Sequence, residues 1–393
     1  MYAIKSIKQS FEPSKEIELM MKIFRQMVNH CIKIGLENNC STLKKLSMLS
    51  YHTLNEYHIQ SKYKLTAISQ AAGRLAQMKR DIRKDKNPKS PFVSKPYLVS
   101  CYGFKVNGML LSIPIGDRNY NHILLNQHTI SQLSEEKITP RSFTITPHSL
   151  SISIRKEIQE IECDGVIGID RNLRNITIGN NNSVTIYKTN KLLSIKENTS
   201  HVLASFKRLD IRVKKHFQKR LGNRRTRRTQ QHLHIISKDI VRNAVDSKSM
   251  IVLEDLKGIR KLYRKGNGQG KKYRRRLNSW SFYELQRQIE YKARWVGIPV
   301  RFVDPKRTSK LCPACGDRIQ EDKLHIRKLW CSNCKKSMDR DIVASLNISY
   351  KGWSRFCHPR GLLGEAMKGN VDWNNIFIQP LILRVDGSKL ASV

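Results

Sequence analysis

The sequence predicts a multidomain chain of mixed α+β and α/β class. A front β-barrel or curved sheet carrying a helical insertion is followed by a strand-and-helix unit with a zinc-binding segment. Three observations predict it. In residues 1–155 short alternating apolar runs flank a helical block. From Ile161 apolar strands and amphipathic helices take over. Cys312, Cys315, Cys331 and Cys334 then form the pattern Cys-x2-Cys-x15-Cys-x2-Cys, in which two knuckles close a tetrahedron of thiolates around structural Zn²⁺. At 393 residues the chain exceeds one average domain, and 39% hydrophobic residues suffice for its cores.

Residues 2–8 read as a strand. Ile17, Met21, Phe24, Val28 and Cys31 recur at helical spacing, Leu43, Leu46, Leu49 and Leu54 predict a second helix, and Ile68, Ala72, Leu75, Met78 and Ile82 a third. Pro88 and Pro91 end this block. Asn107-Gly108 between apolar runs predicts a hairpin, and alternation on either side of Pro147 predicts another strand pair. Small barrels of this kind often bind oligonucleotides, and a purely structural barrel has the same pattern.

Val166–Asp170 is an apolar strand ending in a carboxylate, and the runs around Gly179–Asn182 extend it into a three-stranded meander. Val202, Phe206, Leu209, Val213 and Phe217 predict one long helix, and Leu233, Ile236, Ile240 and Ala244 a second. Met250–Asp255 is another strand ending in acids. Residues 257–276, with ten Lys/Arg and four glycines, predict a mobile basic loop. Ser281-x-x-Glu284 predicts a capping box, Gly297 and Pro299 a helix stop, and Val300–Val303 a strand. A helix after Asp339 carries Asp341, Ala344 and Ile348 on one side. Residues 352–393 predict a partly ordered tail.

Lys and Arg number 73 against 32 Asp and Glu, a formal charge of +41. A charge this large repels itself unless a polyanion neutralises it, and nucleic acid is the usual polyanion. Between Lys207 and Arg228, 11 of 22 residues are basic and only Asp210 is acidic. Solvated helix faces normally mix signs, so this stretch predicts a surface that tracks a phosphate backbone. The expected contacts are Lys207, Arg208, Arg212, Lys214, Lys215, Lys219, Arg220, Arg224, Arg225, Arg227 and Arg228, with Lys271, Lys272, Arg274, Arg275 and Arg276 from the loop. No apolar run is long enough to span a bilayer, and no signal-peptide pattern opens the chain. The scattered Cys31, Cys40, Cys101, Cys163 and Cys357 fit a reducing, cytoplasmic interior.

A zinc site filled by four sulfurs has no use for the acids around it. Asp170 and Glu254 end apolar strands, and Asp341 opens a helix. A single acid at a strand end is usually a turn residue or cap. Three that converge on one sheet edge would hold Mg²⁺ or Mn²⁺, and two such ions clamp the attacking and leaving oxygens of a phosphodiester displacement.

Gly168-Ile169-Asp170-Arg171-Asn172-Leu173-Arg174-Asn175, Val252-Leu253-Glu254-Asp255-Leu256, Thr308–Gly316 and Asp339–Ile348 resemble the TnpB/OrfB family of transposon-encoded nucleases, related to the effectors of type V CRISPR systems. The resemblance covers roughly 161–350 by motif, and over 1–155 only by the barrel-plus-insert texture. It implies a wedge-type, oligonucleotide-binding-like barrel over 1–155 with a helical recognition insert at about 12–90. It further implies an RNase H-like RuvC nuclease over 161–350, with a zinc ribbon at 306–337 inserted in it. The implied activity is RNA-guided cleavage of double-stranded DNA beside a short motif, with a guide RNA made from the transposon end, by a monomer or homodimer in the prokaryotic cytoplasm, associated with the nucleoid. The implied catalytic and magnesium-binding triad is Asp170, Glu254 and Asp341, with Asp339 as a cap and Asp255 in support. His325 is expected at the surface, outside the metal's ligand set.

The chain departs from the family pattern at Arg171 and Asn172, where an apolar residue and glycine are usual, and at Val343, where asparagine is common. Asparagine is one of the residues able to adopt the left-handed turn geometry that glycine takes. Rival readings are a strand-transfer transposase on the same acids, a non-catalytic nucleic-acid-binding regulator, and a ribosome-associated zinc-ribbon protein. The last gives no reason for three separated acids.

Overall fold

The computed structural model describes residues 1–116, 119–180, 182–205, 211–259, 268–321, 327–357 and 381–386. The chain divides into two compact units, Met1–Glu157 and Ile158–Val393.

The front unit begins with β1 (Tyr2–Ser10), then the helices α1 (Lys15–Glu37), α2 (Leu43–Ser50) and α3 (Ser61–Ile82). Ile17, Met21, Phe24, Val28 and Cys31 of α1 are buried, as are Ile68, Ala72 and Leu75 of α3, so the helical periodicity is the packing face. The second helix stops at Ser50, short of the expected Leu54, which sits on a 3-10 turn at Thr53–Tyr57. The remaining elements are β2 (Leu98–Ser100), β3 (Lys105–Asn107), β4 (Leu110–Pro114), β5 (Tyr120–Leu124), α4 (Gln127–Leu133), β6 (Ile138–Thr146) and β7 (Ser149–Glu157). Asn107 pairs with Leu110 across Gly108, whose φ of 56° is the left-handed geometry this tight hairpin demands. Among the described residues the seven strands fall into two sheets, in the orders β1-β7-β6-β2 and β3-β4-β5.

The second unit opens with the meander β8 (Gly165–Arg171), β9 (Asn175–Gly179) and β10 (Ser183–Lys188). It continues through α5 (Asn190–Ser205), α6 (Ile211–Asp246), β11 (Ser249–Glu254), α7 (Lys271–Ser279), α8 (Phe282–Val296) and β12 (Val300–Val303). The strands β13 (Gln320–Glu321), β14 (Lys328–Cys331) and β15 (Lys336–Asp339), the helix α9 (Arg340–Phe356) and β16 (Leu381–Asp386) complete it. The main sheet has the order β12-β11-β8-β9-β10-β16, with β8, β11 and β12 parallel and β9 antiparallel to its neighbours.

Alternation along the strands sorts side chains to two faces. Ile167, Ile169, Ile251 and Leu253 enter one core with Leu233, Ile236, Ile240, Leu285 and Ile289 of α6 and α8. Val166, Met250 and Val252 point the other way, with Ile348 of α9. The approach of α9 is set by Gly168, where a Cβ would collide with the backbone of Ser345 and Ser349. Backbone cannot yield as a flexible side chain can, so Gly168→Ala is expected to destabilise the protein by about 1–3 kcal/mol. Urea denaturation reads this directly, and an unchanged midpoint would contradict the packing.

Three expectations change here. The two helices predicted between Val202 and Ala244 are cut differently: Val202 lies on α5, Val213 through Ala244 on one continuous α6, and Phe206 and Leu209 outside the described residues. Arg, Lys and Gln between Phe217 and Leu233 break the apolar period but are good helix formers, so the backbone carries on. The basic loop 257–276 ends in a helix, α7, from Lys271; residues 260–267 lie outside the described residues. Ser281 is the N-cap of α8 without forming a capping box: its Oγ accepts from Lys196 Nζ at 3.2 Å, and Glu284 accepts from Arg287 and Gln288. The predicted tail supplies β16, which pairs in parallel with β10 from Ser183↔Leu381 to Lys188↔Asp386 and covers that strand's open edge. The Gly297 stop holds, at φ 85°.

Candidate metal centres and nucleic-acid surface

The cysteine site is built on two turns and a hairpin. Gly316 and Lys335 take positive φ just after each Cys pair, folding both knuckles back on themselves. Cys312 Sγ lies 3.9 Å from Cys334 Sγ, and Cys315 Sγ 3.5 Å from Cys331 Sγ. All four sulfurs lie within 4.8 Å of one another. A tetrahedral zinc with bonds of about 2.3 Å separates its sulfurs by about 3.8 Å, so the thiols fit that ion. All nine cysteines are free of disulfides. His325 lies outside the described residues.

The zinc hairpin braces α9. Val343 is buried with Cys312, Ile319, Leu329 and Cys331, which accounts for an apolar residue at that position. Asn347 Nδ2 donates to the carbonyls of Thr308 and Leu311, each at 2.8 Å. The Arg340 amide donates to Arg327 O at 2.9 Å, and the Arg327 guanidinium pairs with the Asp341 carboxylate.

The acids occupy the α9 face of the main sheet. Ile169 pairs with Leu253, so the next residues of these parallel strands, Asp170 and Glu254, are neighbours. Asp341 stands in the first turn of α9, whose N-cap Asp339 accepts from the Asp341 amide at 2.8 Å, the capping role expected of it. Exposures are 8% for Asp170, 9% for Glu254 and 4% for Asp341. Burial, then the charges of Glu254 and Asp341, push the Asp170 carboxyl up to about 8, against the Asn172 hydrogen bond and the Arg171 charge. Burial also raises Glu254, opposed by a 2.8 Å hydrogen bond from Thr308 Oγ1 to its Oε1. Asp255 lies beyond the strand, more exposed, and pairs with Lys257.

Sequence reasoning missed the donors that stitch these acids together. Asn172 Nδ2 donates to Asp170 Oδ2 at 2.7 Å and to Asp341 Oδ1 at 2.9 Å. Asn175 Nδ2 donates to Asp341 Oδ2 at 2.7 Å. Asn172 does not use the left-handed geometry open to it, and its amide donates across the two-residue loop to Asn175 O at 3.0 Å. Arg171 points to the opposite face, where it donates to Gln286 Oε1 at 3.1 Å and to Glu254 O at 2.6 Å. It thereby ties the end of β11 to α8. The only sequence signal for these residues was the pair of departures after Asp170.

The three carboxylates are not gathered within the 4.8 Å that the cysteines reach. A pair of ions about 3.5–4 Å apart spreads its ligands more widely than one ion does. Two buried oxygens nearby take no hydrogen bond, Asn175 Oδ1 and Thr177 Oγ1, and Thr177 pairs with Asp170 across the strands. Three carboxylates with orphaned neutral oxygens beside them form a hard, all-oxygen donor set, which suits Mg²⁺ or Mn²⁺.

Of the expected nucleic-acid contacts, Lys207 and Arg208 lie outside the described residues, and Arg212 and Lys214 are on α6 without described side chains. Lys215, Lys219, Arg220, Arg224, Arg227 and Arg228 are exposed on α6, and Arg225 is half-buried. Arg224, Arg225 and Arg228 join Lys191 of α5 along a groove of about 320 Å³. Lys271, Lys272 and Arg275 are exposed on α7, Arg274 is half-buried, and Arg276 is paired with Glu197 at 2.6 Å. No helix among the described residues is long and apolar enough to cross a membrane.

Fold and site together define a class: a mixed α/β protein whose four-cysteine hairpin braces a helix on one face of a sheet, with three buried acids at that helix terminus and at two strand ends. A family model described as Cas12f1-like, TNB domain, matches residues 282–348. The TnpB-like protein MJ0751 of Methanocaldococcus jannaschii is 35% identical over 216 residues, 53% of this chain and 76% of that protein. The CRISPR-associated endodeoxyribonuclease Cas12f1 of Sulfoacidibacillus thermotolerans is 32% identical over 117 residues, 30% of this chain and 25% of its own length. A Cas12f1 chain solved by cryo-EM in a complex with sgRNA and target DNA shares the fold with a TM-score of 0.56 at 14% identity, over 86% of this chain and 83% of that one. The chain belongs to the TnpB-like family, relatives of the type V CRISPR effectors.

Proposed function

We propose that this chain is a transposon-associated, RNA-guided DNA endonuclease whose catalytic centre is Asp170, Glu254 and Asp341. The observation that carries the reading is the convergence of these acids, from two adjacent strands and one helix terminus, on a single face. The strand order β10-β9-β8-β11-β12, with its antiparallel meander and two parallel additions, supports reading the unit as an RNase H-like RuvC domain. On the same reading residues 1–155 form the wedge module with its helical insert, and 306–337 the zinc ribbon.

Asp170, Glu254 and Asp341 would hold magnesium or manganese, whose chemistry would be activation of water and neutralisation of charge on the leaving oxygen. The protein's own groups position that chemistry. Thr308 fixes one Glu254 oxygen, and Arg171 holds the Glu254 backbone from beneath. Arg327 places a positive charge at the rim of the site, where a scissile phosphate would approach. The exposed arginines of α6 hold guide RNA and the RNA–DNA duplex by backbone charge, leaving sequence selection to base pairing.

The test is purification from cells carrying the native flanking DNA, then sequencing of bound RNA. The expected result is one enriched transposon-end RNA, with double-strand cutting of DNA matched to it once magnesium is added. Absence of enriched RNA would favour a strand-transfer transposase or a non-catalytic regulator. Replacing Arg224, Arg225 and Arg228 together with glutamine is expected to shallow the slope of log affinity against log salt by about 2–3, near 0.9 per lost phosphate contact. Filter binding across a salt series measures it; an unaltered slope removes the groove from the interface.

A further inference from the structure

An amide side chain, Asn172, stands among the acids, and the backbone does not explain it. Asn172 has no left-handed φ, so the position places no conformational demand that asparagine answers. What distinguishes it is its side chain, whose Nδ2 reaches Asp170 at 2.7 Å and Asp341 at 2.9 Å. One atom thus stands within hydrogen-bond reach of both the first and the third acid. The last torsion of asparagine is broad and nearly two-fold, so a half turn about Cβ–Cγ exchanges Nδ2 for Oδ1 at similar reach. Carboxylates alone call for the nitrogen; a cation between them calls for the oxygen.

We propose that Asn172 is a further metal ligand, its Oδ1 completing the donor set between Asp170 and Asp341. The inference rests on the reading of those acids as a metal centre. A neutral oxygen adds a ligand without adding to the repulsion among three buried carboxylates, which suits a hard cation. The turn that carries Asn172 is closed by backbone, from its own amide to Asn175 O, so the side chain is free to rotate without disturbing β8 or β9.

The experiment measures Mn²⁺ binding to the full-length protein by calorimetry and by the loss of the free-ion electron paramagnetic signal. Asn172→Gly and Asn172→Ala are expected to weaken binding about tenfold, the scale on which metal-site partners act. Asn172→Asp is expected to recover the affinity, since a carboxylate oxygen can take the same place. If Asn172 acted only as an N–H bridge, the glycine and alanine variants would bind Mn²⁺ at least as well as the parent, because removing the bridge frees the carboxylate oxygens for the ion. Glycine and alanine variants that bind Mn²⁺ as the parent does, or an aspartate variant weaker than both, overturn the proposal. Asp170→Asn is the separate control: parent-like binding there would sink the metal centre itself, whereas lost binding there with unaltered Asn172 variants would sink this inference alone. Melting temperatures within the parent's range confirm that each variant is folded.

Discussion

Replacing Asp170 with asparagine is expected to lower magnesium-dependent DNA cleavage by more than about 10³-fold while leaving bound RNA and target affinity near those of the parent. The substitution keeps the size and the hydrogen-bonding reach of the side chain and removes one negative charge. Nothing in the core depends on that charge: Val166, Ile167, Gly168 and Ile169 hold the strand through packing and ladder bonds. On the proposed function binding rests on the exposed arginines of α6, so cleavage and binding are expected to separate in this variant. Parallel cleavage and binding assays check it, and an asparagine variant that cuts at the parental rate would remove Asp170 from the chemistry.

The same variant tests the electrostatics. In the metal-free protein Asp170 titrates at about 8, far above the ordinary range near 3.9 for an unfolded chain. Between these values the folded state binds more protons than the unfolded one, so this group makes stability fall as pH rises from about 4 towards 8. Below the unfolded value the penalty is absent, because both states are protonated. Melting temperature of the protein without added magnesium or manganese is therefore expected to decline over that window, with a shallower decline in Asp170→Asn. Equal slopes for the two proteins would contradict the burial of an uncompensated charge.

Loss of the zinc site is the second large effect expected. Cys331→Ser should release the metal, unfold the hairpin β13–β15 and reduce cleavage by about 10–100-fold or more, while the main sheet stays folded. The reason lies in the contacts that α9 makes. Val343 is buried in the hairpin's core, and Asn347 holds the segment Thr308–Leu311. Arg327 reaches Asp341 from the start of β14. Without the metal each of these anchors loses its seat, and the helix that presents Asp341 keeps only its contacts with the main sheet, such as those at Gly168, Val166 and Ile348. Zinc analysis, limited proteolysis across residues 306–340 and cleavage rates read the three consequences. A zinc-free variant with parental cleavage would show that the hairpin does not support the acid site.

Much of this protein is legible in one dimension. β8 and β11 are visible because buried parallel strands need unbroken apolar runs, and each run ends on the acid that faces α9. The cysteine spacing marks the zinc-type hairpin because two short knuckles bring four thiols together with few alternatives. Asp339 and Gly297 bracket their helices for local backbone reasons, which sequence carries directly.

Other features had no local cause to read. α6 runs unbroken through its charged stretch because helix propagation needs only good helix formers there, not an apolar face. β16 exists because β10 leaves an open edge far away in the chain. Whether Ser281 would cap its helix turned on a lysine from α5 reaching its hydroxyl first. By itself the sequence determined β8 and β11, the basic stretches, the four thiols and the candidate acids, since each follows from residue type and short-range spacing. Only the tertiary structure decided that Asn172, Asn175, Thr308 and Arg327 close around those acids, because these contacts join segments up to 169 residues apart and depend on which face each strand turns to α9.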